Sequence, residues 1–210
     1  MKLFKAALPS IQTPSDRDFR AFIRARLRAM AEITGKLGDG KLTPREWADL
    51  IDKELLKGHG GSWTLGRQLG GDLRPENFFD TQFGMVYKDR QAEFLLNFME
   101  QLDAGDVRYY LDDGSLNEIA VNARLRLYGG AMRGTANIAF VEAGTVLDEY
   151  EWRLGSAEEH CGACPELAAM SPWTKDTLYA YPGDGTTPCL GNCTCHLVRS
   201  DGVSTFSRPY

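Results

Sequence analysis

The sequence predicts a mainly α-helical protein with some β structure: a helical N-terminal region followed by a small cysteine-rich module of strands and turns. Three observations predict it. Several segments before residue 144 repeat apolar residues at helical spacing, and helix-start signals precede them. All five cysteines fall between Cys161 and Cys195, in turn-rich sequence. The composition is that of a globular chain, 43% hydrophobic and 25% charged over 210 residues.

Residues 1–14 read as an extended arm, with Pro9 and Pro14 as breakers. Ser15 and Asp18 form a start signal, and Phe19, Phe22, Ile23, Leu27, Met30 and Ile33 follow at helical spacing. A helix is expected over 16–36, stopped by the glycines around Gly38. Thr43-Pro44-Arg45-Glu46 is a capping box with proline at the first helical position. It opens a second helix over 44–57, expected to end at Gly58-His59-Gly60-Gly61. The glycine-rich stretch 58–75 reads as a long connection with a short turn around Trp63 to Leu69.

A third helix is expected from Pro75 to Leu102. Phe78, Phe79, Phe83, Val86, Phe94, Leu95, Phe98, Met99 and Leu102 line it, and Gly84 marks a break. Ser115 and Glu118 suggest another capping box, opening a fourth helix over 116–143. Its expected core side holds Leu116, Ile119, Ala120, Ala123, Leu127, Ala131, Gly134 and Ile138. Gly129, Gly130, Ala131 and Gly134 would let another backbone approach closely. After Gly144 the composition changes. Val146 to Leu154 reads as a short strand, and a boundary is expected near residue 145, dividing 1–144 from 145–210.

The formal charge is −5, which argues against general coating of nucleic acid. It is unevenly spread, since Arg17, Arg20, Arg24, Arg26 and Arg28 crowd one helix. A solvated face is the plain reading. A local contact with DNA or an acidic protein is the other, and the anionic chain favours protein. No apolar run approaches the roughly 18 to 20 residues of a membrane span. The N-terminal apolar part is short and interrupted, so no signal peptide is expected.

The cysteines carry the chemistry. They read Cys161-Gly162-Ala163-Cys164, then Cys189-Leu190-Gly191-Asn192-Cys193-Thr194-Cys195, flanked by His160 and His196. A C-x-x-C and a C-x-C so close together suit tetrahedral zinc, which takes four thiolate or imidazole ligands. The expected ligands are Cys161, Cys164, Cys193 and Cys195, with Cys189 as the alternative and the histidines as flanking residues. Unliganded thiols or a disulfide are the other readings. No H-x-E precedes Pro188-Cys189, and no H-E-x-x-H, Walker A or G-x-S-x-G motif occurs, so the chain is not expected to be an enzyme. Asp39 to Glu46 matches half an EF-hand loop, but Gly35 and Leu37 stand where carboxylates belong.

The stretch from Ala123 to Leu197 resembles the C-terminal part of the phage head morphogenesis proteins, the Mu F-like minor head proteins. Arg124, Arg126, Arg133 and Asn137 stand for that family's helix. Tyr150-Glu151-Trp152 stands for its strand, and Cys161-Gly162-Ala163-Cys164-Pro165 and Asn192-Cys193-Thr194-Cys195 for its cysteine elements. The chain departs in having Cys189 where a histidine is usual and Thr194 where arginine is usual. The resemblance implies a structural component of a tailed-phage virion, in the head interior or neck and in several copies per particle. Its implied role is to assist head assembly, portal association or genome delivery. The implied partners are portal or capsid protein, with packaged DNA as a local contact and no membrane. A small zinc-dependent nucleic-acid-binding protein is the competing reading.

Overall fold

A computed structural model describes residues 13–157 and 159–206. The expected arm lies, up to residue 12, outside the described residues. The helices are α1 (Asp16–Gly38), α2 (Pro44–Leu69), α3 (Phe78–Asp89), α4 (Ala92–Asp103), α5 (Glu118–Ala143) and α6 (Ala163–Ala169). Strands β1 (Glu149–Arg153), β2 (Trp173–Thr174) and β3 (His196–Arg199) form an antiparallel sheet in the order β2-β1-β3. In its register Trp152 pairs with Leu197 and Tyr150 with Trp173. The protein is mainly α with a little β, as the sequence predicts.

Two predicted helix starts form as expected. The Ser15 hydroxyl accepts from the Asp18 amide while the Asp18 carboxylate accepts from the Ser15 amide, and Thr43 and Glu46 do the same. Glu46 is thereby used as a cap, and Asp39 pairs with Lys41 at 2.6 Å. The third start differs. Asn117, not Ser115, caps α5, its Oδ1 accepting from the Ala120 amide at 3.2 Å. Ser115 instead bonds Asp113 in the preceding turn.

The largest correction concerns residues 58–69, which are helical. The glycines there are contact surfaces rather than breaks. A Cβ on Gly66 would strike the Ala136 carbonyl of α5, and one on Gly58 would strike Met132. Gly84, expected to break the third helix, lies inside α3 with its face against the Gly60 backbone of α2. Three helices thus approach at glycines, a gain that offsets the roughly 1 kcal/mol each glycine costs in a helix.

The predicted third helix is two. It stops at Asp89, where Lys88 reaches across to Asp52 of α2 at 3.0 Å, and restarts at Ala92. The turn aims Leu95, Phe98 and Leu102 of α4 inward, with Phe98 edge-on to Trp47 at 5.3 Å. The expected core residues Phe78 and Phe79 are instead 71% and 69% exposed. On α5 the expected core side holds toward the C-terminal end, where Gly134 and Ile138 are buried, but is rotated over the first half. Ile119, Ala123 and Leu127 face solvent, and Val121, Leu125, Tyr128, Met132 and Ala136 are buried.

One core cluster runs from Phe19, Ile51 and Val121 through Trp152 to Cys164, Cys193 and Cys195. Phe19 stacks on Phe206 at 4.3 Å, and Arg199 of β3 donates to the Gly70 carbonyl at 2.8 Å. Residues before and after position 145 therefore share buried contacts.

His59 is buried in this helical layer, with Nδ1 2.7 Å from the Thr135 hydroxyl. Burial, helped by the nearby Lys88 charge, pushes its pKa down from 6.5 to about 3. The folded pKa lies below the unfolded one, so the stability it contributes is complete above pH 6.5 and is lost as pH falls toward 3. The loss is about 1.4 kcal/mol per pH unit, or about 2 kcal/mol by pH 5. Urea denaturation at pH 7.5 and 5.0 checks this. The wild type is expected to lose about 2 kcal/mol more than His59→Gln between the two pH values.

Candidate metal centre

The cysteines sit on three short pieces of chain, of which α5 holds the second and third and β1 packs on the first. Cys161 and Cys164 bracket the start of α6, where the Cys164 amide donates to the Cys161 carbonyl at 3.1 Å. Cys189 and Cys193 flank a 3-10 turn, Leu190–Asn192, in which Leu190 takes a left-handed φ of 50°. That conformation costs a leucine on the order of 1 kcal/mol. It folds the turn so that Cys189 and Cys193 both reach the Cys164 side. Cys195 leads directly into β3 and is placed by its pairing with β1.

The anchoring residues lie on one stretch of α5. Buried Arg133 donates to the Cys195 carbonyl at 2.8 Å, and Asn137 donates to the Pro182 carbonyl at 2.7 Å. Gly130 lies against the Gly191 backbone and Gly134 against Gly183 and Asp184. The close backbone approach expected at these glycines is made by the cysteine loops. Of the resembling arginines, Arg133 touches the cysteine region. Arg124 lies over the Phe98 ring at 5.7 Å, and Arg126 lines a groove beside α1.

All five cysteines are free thiols and converge in two overlapping groups. Cys161, Cys164 and Cys189 form one, with sulfur separations of 3.3, 3.3 and 3.7 Å. Cys164, Cys193 and Cys195 form the other, with Cys164 and Cys193 3.9 Å apart. Cys164 belongs to both. The expected set of Cys161, Cys164, Cys193 and Cys195 is thus spread over the two groups, and Cys189 stands in the first beside Cys161. Of the flanking histidines, His160 Nδ1 lies 3.8 Å from the Cys195 sulfur. Burial, then the charges of Arg133 and Arg153, lowers the pKa of His196.

These spacings suit a metal. A tetrahedron with metal–sulfur bonds of about 2.3 Å has sulfur–sulfur edges of about 3.8 Å. The electrostatics divide the thiols, lowering Cys161 and Cys195 and raising Cys164 and Cys193. A hydrogen bond from Cys193 leads in pulling the Cys195 thiol down to about 5, with the Gly155 amide adding to it. At Cys161, burial raises the pKa, but its hydrogen bonds with Cys164 and Cys189 outweigh it and the net shift is down. Burial pushes Cys164 up, and the bond to Cys195 together with burial pushes Cys193 up. A bound divalent cation supplies the positive charge that lets packed thiols ionise together. The cluster can therefore hold a metal ion.

Sequence reasoning recognised the cysteines and the small residues of α5 but did not connect them. The link makes a prediction. Gly130→Ala would drive a methyl into Gly191, between Cys189 and Cys193, and is expected to weaken metal binding about 10- to 100-fold, as loss of outer support does. Competition with a chromophoric chelator measures it.

No helix among the described residues is long and apolar enough to cross a membrane. Compared with protein-family models, curated proteins and solved structures, the chain finds no match.

Proposed function

We propose that this chain is a structural component of a tailed-phage virion, a minor head or head-neck protein. It assists head assembly, portal association or genome delivery beside portal or capsid protein, and one zinc ion holds its cysteine-rich end. The observation that supports this is the meeting of the parts that resemble the Mu F-like proteins. Arg133 and Asn137 of α5, Trp152 of β1 and both cysteine elements assemble in one place.

The proposed ligand set is Cys161, Cys164 and Cys189, whose sulfurs already lie within 4.8 Å of one another, with Cys193 drawn in from the second group as the fourth. Cys193 lies 3.9 Å from Cys164, near the edge length of a zinc–thiolate tetrahedron. Cys195 has a partner outside the cluster in the Gly155 amide. Four thiolates close the coordination sphere and leave no position for water, which is the arrangement of a structural rather than a catalytic zinc. The zinc then pins the cysteine loops at the end of the core they share with the helices.

The test of the virion role is quantitative mass spectrometry of gradient-purified particles. A fixed, low copy number relative to the major capsid protein is expected. Particles that lack the chain, while it binds nucleic acid as a free protein, would support the nucleic-acid reading instead.

A further inference from the structure

The arginines of α1 divide into two sets. Arg20 pairs with Asp16 at 2.8 Å, and Arg26 pairs with Glu54 at 2.9 Å. Arg17, Arg24 and Arg28 form no ion pair among the described residues, and they line one side of an open groove of about 810 Å³ between α1 and α5. Arg126 of α5 lines the other side, and Ala21, Leu27 and Leu125 supply an apolar floor. Cations along an apolar trough fit an amphipathic helix with an acidic rim.

The same chain carries such a helix. α4 has three carboxylates, Glu93, Glu100 and Asp103, and no lysine or arginine. Its exposed side sets Glu93, Leu96, Glu100 and Asp103 at spacings of three and four residues, one face of a helix. The opposite side is fixed inward by Leu95, Phe98 and Leu102, so α4 cannot turn its acidic face into the groove of its own copy.

We infer that the arginine groove between α1 and α5 receives the acidic face of α4 from a second copy of this chain. The two surfaces differ, so the contact is head-to-tail, and repetition gives a ring or an open filament. Charge complementarity sets the register, and the apolar floor meeting Leu96 supplies the rest. Nucleic acid fits less well. The described lining of the groove offers no aromatic side chain for stacking. The inference does not depend on the virion role or on zinc.

Sedimentation velocity of the full chain tests it, at concentrations from about 1 to 100 μM and in low and high salt. The wild type is expected to associate reversibly and to dissociate as salt rises. Arg24→Glu with Arg28→Glu, and separately Glu93→Lys with Glu100→Lys, are each expected to weaken association about tenfold or more. All four side chains are exposed, and unchanged circular dichroism confirms that the variants fold. The two variants mixed in equal amounts are expected to associate again, because each reversed surface now finds its complement. A wild type that stays monomeric throughout overturns the inference. So do variants that associate as the wild type does, or a mixture that fails to recover. Salt-sensitive binding of a DNA duplex in the absence of self-association assigns the groove to nucleic acid.

Discussion

Cys164→Ser is expected to release the cysteine-rich region while leaving most of the helical layer folded. Cys164 is the one thiol common to both sulfur groups and is itself buried, so its loss empties the centre of the cluster. A structural zinc contributes on the order of 10 kcal/mol to a small metal-dependent module, far more than this region's short strands supply. Limited proteolysis is the direct readout. Cleavage is expected to appear between about residues 155 and 196, in chain that resists protease in the wild type. Helical circular dichroism should fall little, because Ile23, Trp47, Ile51 and Phe98 keep their own packing. Chelation of the wild type should reproduce the pattern. Equal resistance of mutant and wild type would mean that packing alone holds the loops.

Asp80→Ala is the second large effect. Asp80 is buried at the start of α3, and both its oxygens accept from Arg67 of α2, at 2.7 and 2.6 Å. It also takes the Thr64 hydroxyl and the Asn77 amide. Arg67 uses its remaining donors on the carbonyls of Asp72, Arg74 and Pro75, pinning the link between the two helices. Removing the carboxylate leaves the buried guanidinium only the Asp72 carboxylate, 3.3 Å away and shared with Arg74, at a cost of about 3 kcal/mol. Chemical denaturation should show that loss, with hydrogen exchange fastest across residues 70–80. Arg67→Met with Asp80→Leu should recover much of it, because replacing a buried pair by apolar groups is often near neutral. A loss below about 1 kcal/mol in Asp80→Ala would mean that water reaches the guanidinium.

The legible parts of this fold were those fixed by neighbours in sequence. The Ser15–Asp18 and Thr43–Glu46 caps join residues three apart, and both α1 and the start of α2 appear where those caps place them. The misread parts depend on distant partners. Gly58, Gly60 and Gly66 look like breakers until Met132, the α3 backbone and Ala136 are seen against them. The divide between α3 and α4 has no glycine or proline, and accompanies the tie from Lys88 to Asp52. The partly rotated face of α5 reflects the cysteine loops that cover Gly130 and Gly134, loops whose path no local pattern records. At the metal centre the residue types and both close-spaced pairs were legible: Cys161 lies beside Cys164, and Cys193 groups with Cys195. What the spacing did not show is that the left-handed Leu190 turn also brings Cys189 to 3.3 Å from Cys161.

The central claim is that these thiols hold one zinc ion, and elemental analysis of the full chain purified under reducing conditions tests it most directly. The wild type is expected to carry about one zinc per chain. Cys164→Ser and Cys189→Ser are expected to lose it, and Cys195→Ser is expected to keep it. A wild type without metal that still protects residues 155–196 from protease would contradict the account. Loss of zinc in Cys195→Ser with retention in Cys189→Ser would contradict the ligand set.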